Sequence, residues 1–165
     1  MNTVKVKKPT CKWIDLRDHW EEIQQLSFAR EQQKKKFTSK NYGRWDDHGS
    51  HLVGLCGEFI VSLETNTKID TELYYGKQGD KGYDLLIDRK TYSIKTTTYF
   101  KNPFLKEYLR PKHFCDFYIL VGVDIPKKRG KIFGWCSQAD IKAAEIIDWG
   151  HGPQRSIDHK KLRKW

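Results

Sequence analysis

The chain has 165 residues, of which 38% are hydrophobic, a length that supports one domain with a real core and excludes two comfortable ones. Its formal charge of +10 favours a polyanionic partner, nucleic acid first, and an aromatic content of 13% supplies flat faces able to stack on bases. No run approaches the roughly 18 apolar residues that a membrane span requires.

In chain order, residues 1–10 read as a loose basic lead-in holding Lys5, Lys7 and Lys8. From Trp13 or Asp15 to Phe37, Leu16, Trp20, Ile23, Leu26 and Phe28 recur near helical spacing, which predicts an amphipathic helix ending in Lys34, Lys35 and Lys36. Residues 41–49 read as a loop. Ser50 then caps a helix over residues 51–64, with Leu52, Leu55, Cys56, Phe59 and Leu63 as its apolar stripe. Glu58 lies about 100° of helix rotation from the stripe's centre, from which a carboxylate can reach round toward a sheet edge. Gly54 and Gly57 each lower helix propensity by about 1 kcal/mol relative to Ala, so a close approach of helix to sheet is expected there.

Residues 69–75 read as a strand, and residues 79–97 as a strand pair. Tyr83, Leu85 and Ile87 alternate against Asp84, and Tyr92 and Ile94 against Ser93 and Lys95. A two-residue connection at Arg89 and Lys90 sets Asp84 opposite Lys95. As a plain cross-strand ion pair that arrangement contributes about 0.2–1 kcal/mol. Pro103 and Pro111 bracket a short helix over residues 104–109. The apolar run 114–124 predicts a central strand buried on both faces, 131–136 a further strand, and Ser137 caps a last helix reaching Ile147. Residues 149–165 form a basic tail.

Residues 1–8 carry lysines with no apolar run behind them, so no signal peptide is expected. Cys11, Cys56, Cys115 and Cys136 show no Cys-x-x-Cys spacing and three sit in apolar stretches, which reads as free thiols in a reducing compartment. The expectation is a soluble, cytoplasmic protein with no membrane partner.

Glu58 on a helix, Gly82-Tyr83-Asp84 on a strand, and Ser93-Ile94-Lys95 on the next strand, followed by threonines, together resemble the PD-(D/E)XK nuclease superfamily. The run 114–124 and the Gly134-Trp135-Cys136-Ser137 approach to a helix are similar to small restriction-endonuclease-like proteins of phages and bacteria. The resemblance covers about residues 50–147. It implies an α/β restriction-endonuclease-like domain, a mixed β-sheet flanked by helices, with the basic helix 13–37 and the basic tail 149–165 attached to one domain spanning 1–165. Phosphodiester cleavage needs an activated water and stabilisation of accumulating charge, and hard divalent cations on carboxylates supply both.

The implied activity is a Mg²⁺- or Mn²⁺-dependent DNA endonuclease with Glu58, Asp84, Ser93 and Lys95 as its catalytic set. Glu58, Asp84 and the backbone carbonyl of Ile94 would hold the metal, and Lys95 would position the attacking water. The chain departs from the superfamily at Ser93, a neutral hydroxyl where Asp or Glu usually stands. Either a nearby acid compensates, with Asp80, Asp88 and Glu64 as the choices, or the site is impaired. Phosphate contacts are expected from Lys34, Lys35, Lys36, Thr96, Thr97, Lys127, Lys128, Arg129, Lys160 and Lys161. The alternatives are a catalytically inactive nucleic-acid-binding module of the same fold and a phage accessory DNA-binding protein. A homodimer is left open.

Overall fold

The run of residues 117–124 decides the architecture, because a strand apolar on both faces must be covered on both sides. In the computed structural model, which describes residues 12–37, 47–71 and 81–165, this run lies near the middle of a five-stranded sheet. Strands β1 (Ile14–Asp15), β2 (Leu85–Ile87) and β3 (Lys90–Thr97) precede β4 (Phe104–Tyr108), β5 (Phe117–Asp124) and β6 (Arg129–Ser137). The sheet order is β1-β6-β5-β3-β2, with β3 parallel to β5 and the other neighbours antiparallel. β4 joins β8 (Pro153–Asp158) and β7 (Glu145–Asp148) in a second, antiparallel sheet of order β4-β8-β7. The class is thus mixed α/β.

Helices α1 (Trp20–Phe37) and α2 (Asp47–Thr65) pack together on one face of the main sheet. Leu55, Cys56, Phe59, Ile60 and Val61 of α2 are buried against Ile94, Ile119, Val121 and Val123. Full burial of each such aliphatic side chain contributes about 1.5–3 kcal/mol. Gly57 has a steric reason here, since a Cβ on it would lie 2.0 Å from Thr96 Oγ1; Gly54 meets nothing within 4 Å. The other face carries a second core of Leu105, Cys115, Tyr118, Leu120, Cys136, Ile141 and Leu162, over which the second sheet folds. Among the described residues no helix is long and apolar enough to cross a membrane.

Several local expectations change. Residues 14–19 form β1 and a 3-10 turn before α1 starts at Trp20. Of the strand expected over 69–75, residues 69–71 are irregular and the rest lie outside the described residues. Residues 104–108 are strand rather than helix, because Leu105 and Glu107 turn inward while Phe104, Lys106 and Tyr108 turn out, a period of two. Ser137 does cap a helix, α3 (Gln138–Lys142), through a reciprocal capping box with Asp140, but the helix stops there and 145–148 become β7. The tail from Trp149 is built in, with β8 as the central strand of the second sheet.

Candidate active site

The hairpin that carries Asp84 and Lys95 turns at Asp88 and Arg89, one residue earlier than the spacing predicts. Both have positive φ, 48° and 63°, the conformation of a tight two-residue hairpin turn. Leu85 therefore pairs with Tyr92, and Asp84, whose N–H donates to the carbonyl of Tyr92 at 2.9 Å, sits beside Ser93 and Ile94 instead of opposite Lys95. The Asp84 carboxylate accepts the N–H of Ile94 at 2.5 Å, occupying the ladder position that β2 vacates where it ends. In an extended strand the N–H and C=O of one residue point the same way, so the carbonyl of Ile94 faces this same edge.

Lys95 points to the face away from α2. Its Nζ lies 3.0 Å from Oε2 of Glu107, a carboxylate only 5% exposed that β4 brings across from the second sheet. The other Glu107 oxygen accepts the N–H of Tyr108 at 2.8 Å. Tyr118 lies below, its ring centroid 6.0 Å from Lys95 Nζ and its hydroxyl accepting the N–H of Cys115 at 3.0 Å. Burial pushes the Tyr118 hydroxyl up to about 12, with the Glu107 charge adding to the rise. Cys115 reports on the whole group. Its thiol is pushed up to about 11, first by burial, then by the negative charges of Asp84 and Glu107, against which Lys95 pulls it down. The Cys115 thiol, which donates to the Gly82 carbonyl at 3.3 Å, thus stays protonated at neutral pH.

Ser93, 9% exposed, shares the Lys95 face and pairs in register with Tyr118. Glu58 goes elsewhere. It sits on α2, on the opposite face, where Arg30 Nη1 lies 3.1 Å from both of its oxygens and Arg30 Nη2 donates to the carbonyl of Asp70 at 2.9 Å. That pairing anchors α1 and the 67–71 segment to α2. No group of three or more His, Cys, Asp or Glu side chains suited to a metal is found among the described residues.

Of the acids expected to stand in for Ser93, Asp88 is exposed in the turn, Glu64 is exposed on α2, and Asp80 lies outside the described residues. The acid that the fold does bring beside Lys95 is Glu107. Reading 104–109 as a helix hid it, although the alternation of Leu105 and Glu107 with Phe104, Lys106 and Tyr108 was its signal.

The expected phosphate contacts divide in the same way. Thr96 is a correction: its Oγ1 is fully buried against α2, with no hydrogen-bond partner among the described residues, and cannot reach a phosphate. Thr97 lies on the Lys95 face and accepts the N–H of Tyr99 at 3.0 Å. Lys127 and Arg129 both lie near Asp124, at 3.8 and 3.7 Å, and Lys128 lies over the Trp20 ring at 5.3 Å. Lys160 and Lys161 are exposed in a 3-10 turn after β8. The side chains of Lys34, Lys35 and Lys36 lie outside the described residues.

No protein-family model, curated protein or solved structure matches this chain.

Proposed function

We propose that the protein is a divalent-metal-dependent DNA nuclease of restriction-endonuclease-like design, in which Glu107 supplies the second carboxylate that Ser93 lacks. The observation that carries this reading is the Lys95–Glu107 contact of 3.0 Å on the face that Ser93 shares, with Asp84 held at the adjacent strand edge by the Ile94 N–H. The donor set fits a hard cation. Asp84, Glu107 and the Ile94 carbonyl offer oxygen only, and the protonated Cys115 offers no thiolate. Mg²⁺ or Mn²⁺ held through one or two carboxylates keeps most of its waters, which agrees with so small a set.

When bound, such an ion supplies Lewis acidity toward the scissile phosphate. The chain's own residues do the rest. Asp84 is fixed by the Ile94 N–H, which holds its carboxylate at the end of β2. Lys95 is aimed by Glu107 and carries donors able to hold a water or a phosphate oxygen. Tyr118 and Cys115, both buried and uncharged, wall the site and keep the local dielectric low. Glu58 serves the fold through Arg30.

The Lys95–Glu107 pair also favours a second reading, since a lysine already neutralised by a buried acid is what an inactive nucleic-acid-binding module would show. Plasmid, linear duplex, single-stranded and branched DNA, each with Mg²⁺ or Mn²⁺, separate the two. The nuclease reading expects metal-dependent cleavage that falls about 10²–10⁴-fold in Lys95→Ala and in Glu107→Gln, with Asp84→Asn, which keeps an acceptor for Ile94, equally impaired. Binding without cleavage on every substrate and metal sinks the enzyme in favour of the module.

A further inference from the structure

Beyond Lys95 the same face continues into an aromatic and basic surface. In register, Lys95 pairs with Leu120, Thr97 with Gly122 and Gly122 with Lys131, so these positions share one side of the sheet. Two residues of strand separate Lys95 from Thr97, about 7 Å. Gly122 forms the floor, since a Cβ there would come 2.5 Å from Phe133 Cε2 and 2.8 Å from Phe100 Cε1. The missing side chain lets both rings settle on the strand. Phe100 also meets Trp13, with ring centroids 5.5 Å apart.

Cations are interleaved with these rings. The Arg129 guanidinium lies 4.1 Å from the Trp13 centroid, and Lys131 Nζ lies 5.2 Å from both Trp13 and Phe133. The acids within reach are engaged, Asp124 by Lys127 and Arg129 and Asp15 by Arg17, which leaves the surface cationic. Trp13 remains 37% exposed, and Tyr99, which precedes Phe100 in the chain, is 62% exposed. A row of rings serving only as core would be shut away from water. An acidic peptide would match the charge without using the ring faces, and a duplex keeps its base faces stacked inside. Unpaired nucleotides offer phosphates and open base faces together.

We propose that this surface binds single-stranded DNA, bases stacking on Trp13 and Tyr99 and phosphates meeting Arg129 and Lys131, and so delivers an unpaired strand along β3 toward Lys95. The choice of DNA rests on the nuclease reading; the surface itself does not need cleavage to be tested.

The test is binding of a labelled oligothymidylate to the full chain in chelator, read by anisotropy and by quenching of indole fluorescence. Oligothymidylate should bind more tightly than a duplex and weaken steeply between about 50 and about 200 mM salt. Trp13→Ala and Tyr99→Ala should each weaken it about tenfold, and Trp13→Phe should remove much of the quench while keeping the ring packing. Lys142→Ala, whose ammonium lies over Phe114 at α3, should leave it unchanged. Duplex binding as tight as single-strand binding, affinity indifferent to Trp13 and Tyr99, or preference for oligouridylate overturns the proposal. Cleavage lost in Glu107→Gln with oligothymidylate binding intact leaves this surface standing, whereas oligothymidylate binding unchanged in Trp13→Ala and Tyr99→Ala, with metal-dependent cleavage present, leaves only the nuclease.

Discussion

Along β3, Ile94 and Thr96 point to one face of the sheet and Ser93, Lys95 and Thr97 to the other, and the two faces are closed by different means. The first is sealed by a helix carrying a glycine at the point of nearest approach, where apolar side chains mesh around the buried Thr96 hydroxyl. The second is covered by a small sheet that brings its own buried carboxylate, and beyond that cover it stays open under Trp13 and Phe100. Alternation with period two makes both outcomes available to a single strand. The packed face holds the strand still, and the polar face is then free to carry charges at fixed positions.

The contrast is sharpest where packing is tightest. Ile119→Ala, at a fully buried position facing α2, should destabilise the fold by about 2–5 kcal/mol in urea denaturation, whereas Thr97→Ala on the other face should cost no more than about 1 kcal/mol. Equal losses would erase the distinction between the faces. Next in size, Gly57→Ala should cost about 1–3 kcal/mol despite the better helix propensity of alanine, because its Cβ meets Thr96 Oγ1. Adding Thr96→Ala should restore most of the loss, as it removes a buried hydroxyl without a partner among the described residues. A urea midpoint for Gly57→Ala at or above the parent value would show that the helix does not seat there.

The smallest effect lies at the rim of the second face. Asp140, bonded first by the Arg163 guanidinium and then by the N–H and hydroxyl of Ser137, has its carboxyl lowered from 3.8 to about 2. A depressed folded-state value means the contribution is complete above the unfolded value and disappears as pH falls through the folded one, here between about pH 4 and about pH 2. Because this carboxylate is 36% exposed, screening holds the contribution below about 1 kcal/mol. Asp140→Asn should flatten that part of the stability–pH curve; an unchanged slope would assign it to another acid.

Much of this was legible because local signals and tertiary demands agreed. The apolar run of β5, the stripe of α2 and the Ser137 cap each follow from a periodicity or a side chain that acts within a few residues. The hairpin was found one residue out of place because Asp88 and Arg89 adopt positive φ without the Asn-Gly pair that normally marks such a turn. Glu107 and β8 were missed for a different reason. A strand in a second sheet is specified by its distant partners, and the prolines around 104–109 suggested punctuation of a helix. Glu58 was singled out by its position on the helix, whereas its ion pair with Arg30 depends on how α1 packs on α2 and could be shown only by the fold.

The end of the chain adds a constraint of another kind. β1 covers β6 only at Arg129 and Gly130, and past that point β6 would present a bare strand edge. There Arg163 exchanges both backbone hydrogen bonds with Trp135, at 2.9 and 3.0 Å, while its side chain is tied to Asp140. A single bridge is too short to extend the sheet, but it occupies the donor and acceptor around which a second molecule would begin to zip. The last few residues thus blunt the edge of β6 at the point where β1 no longer covers it.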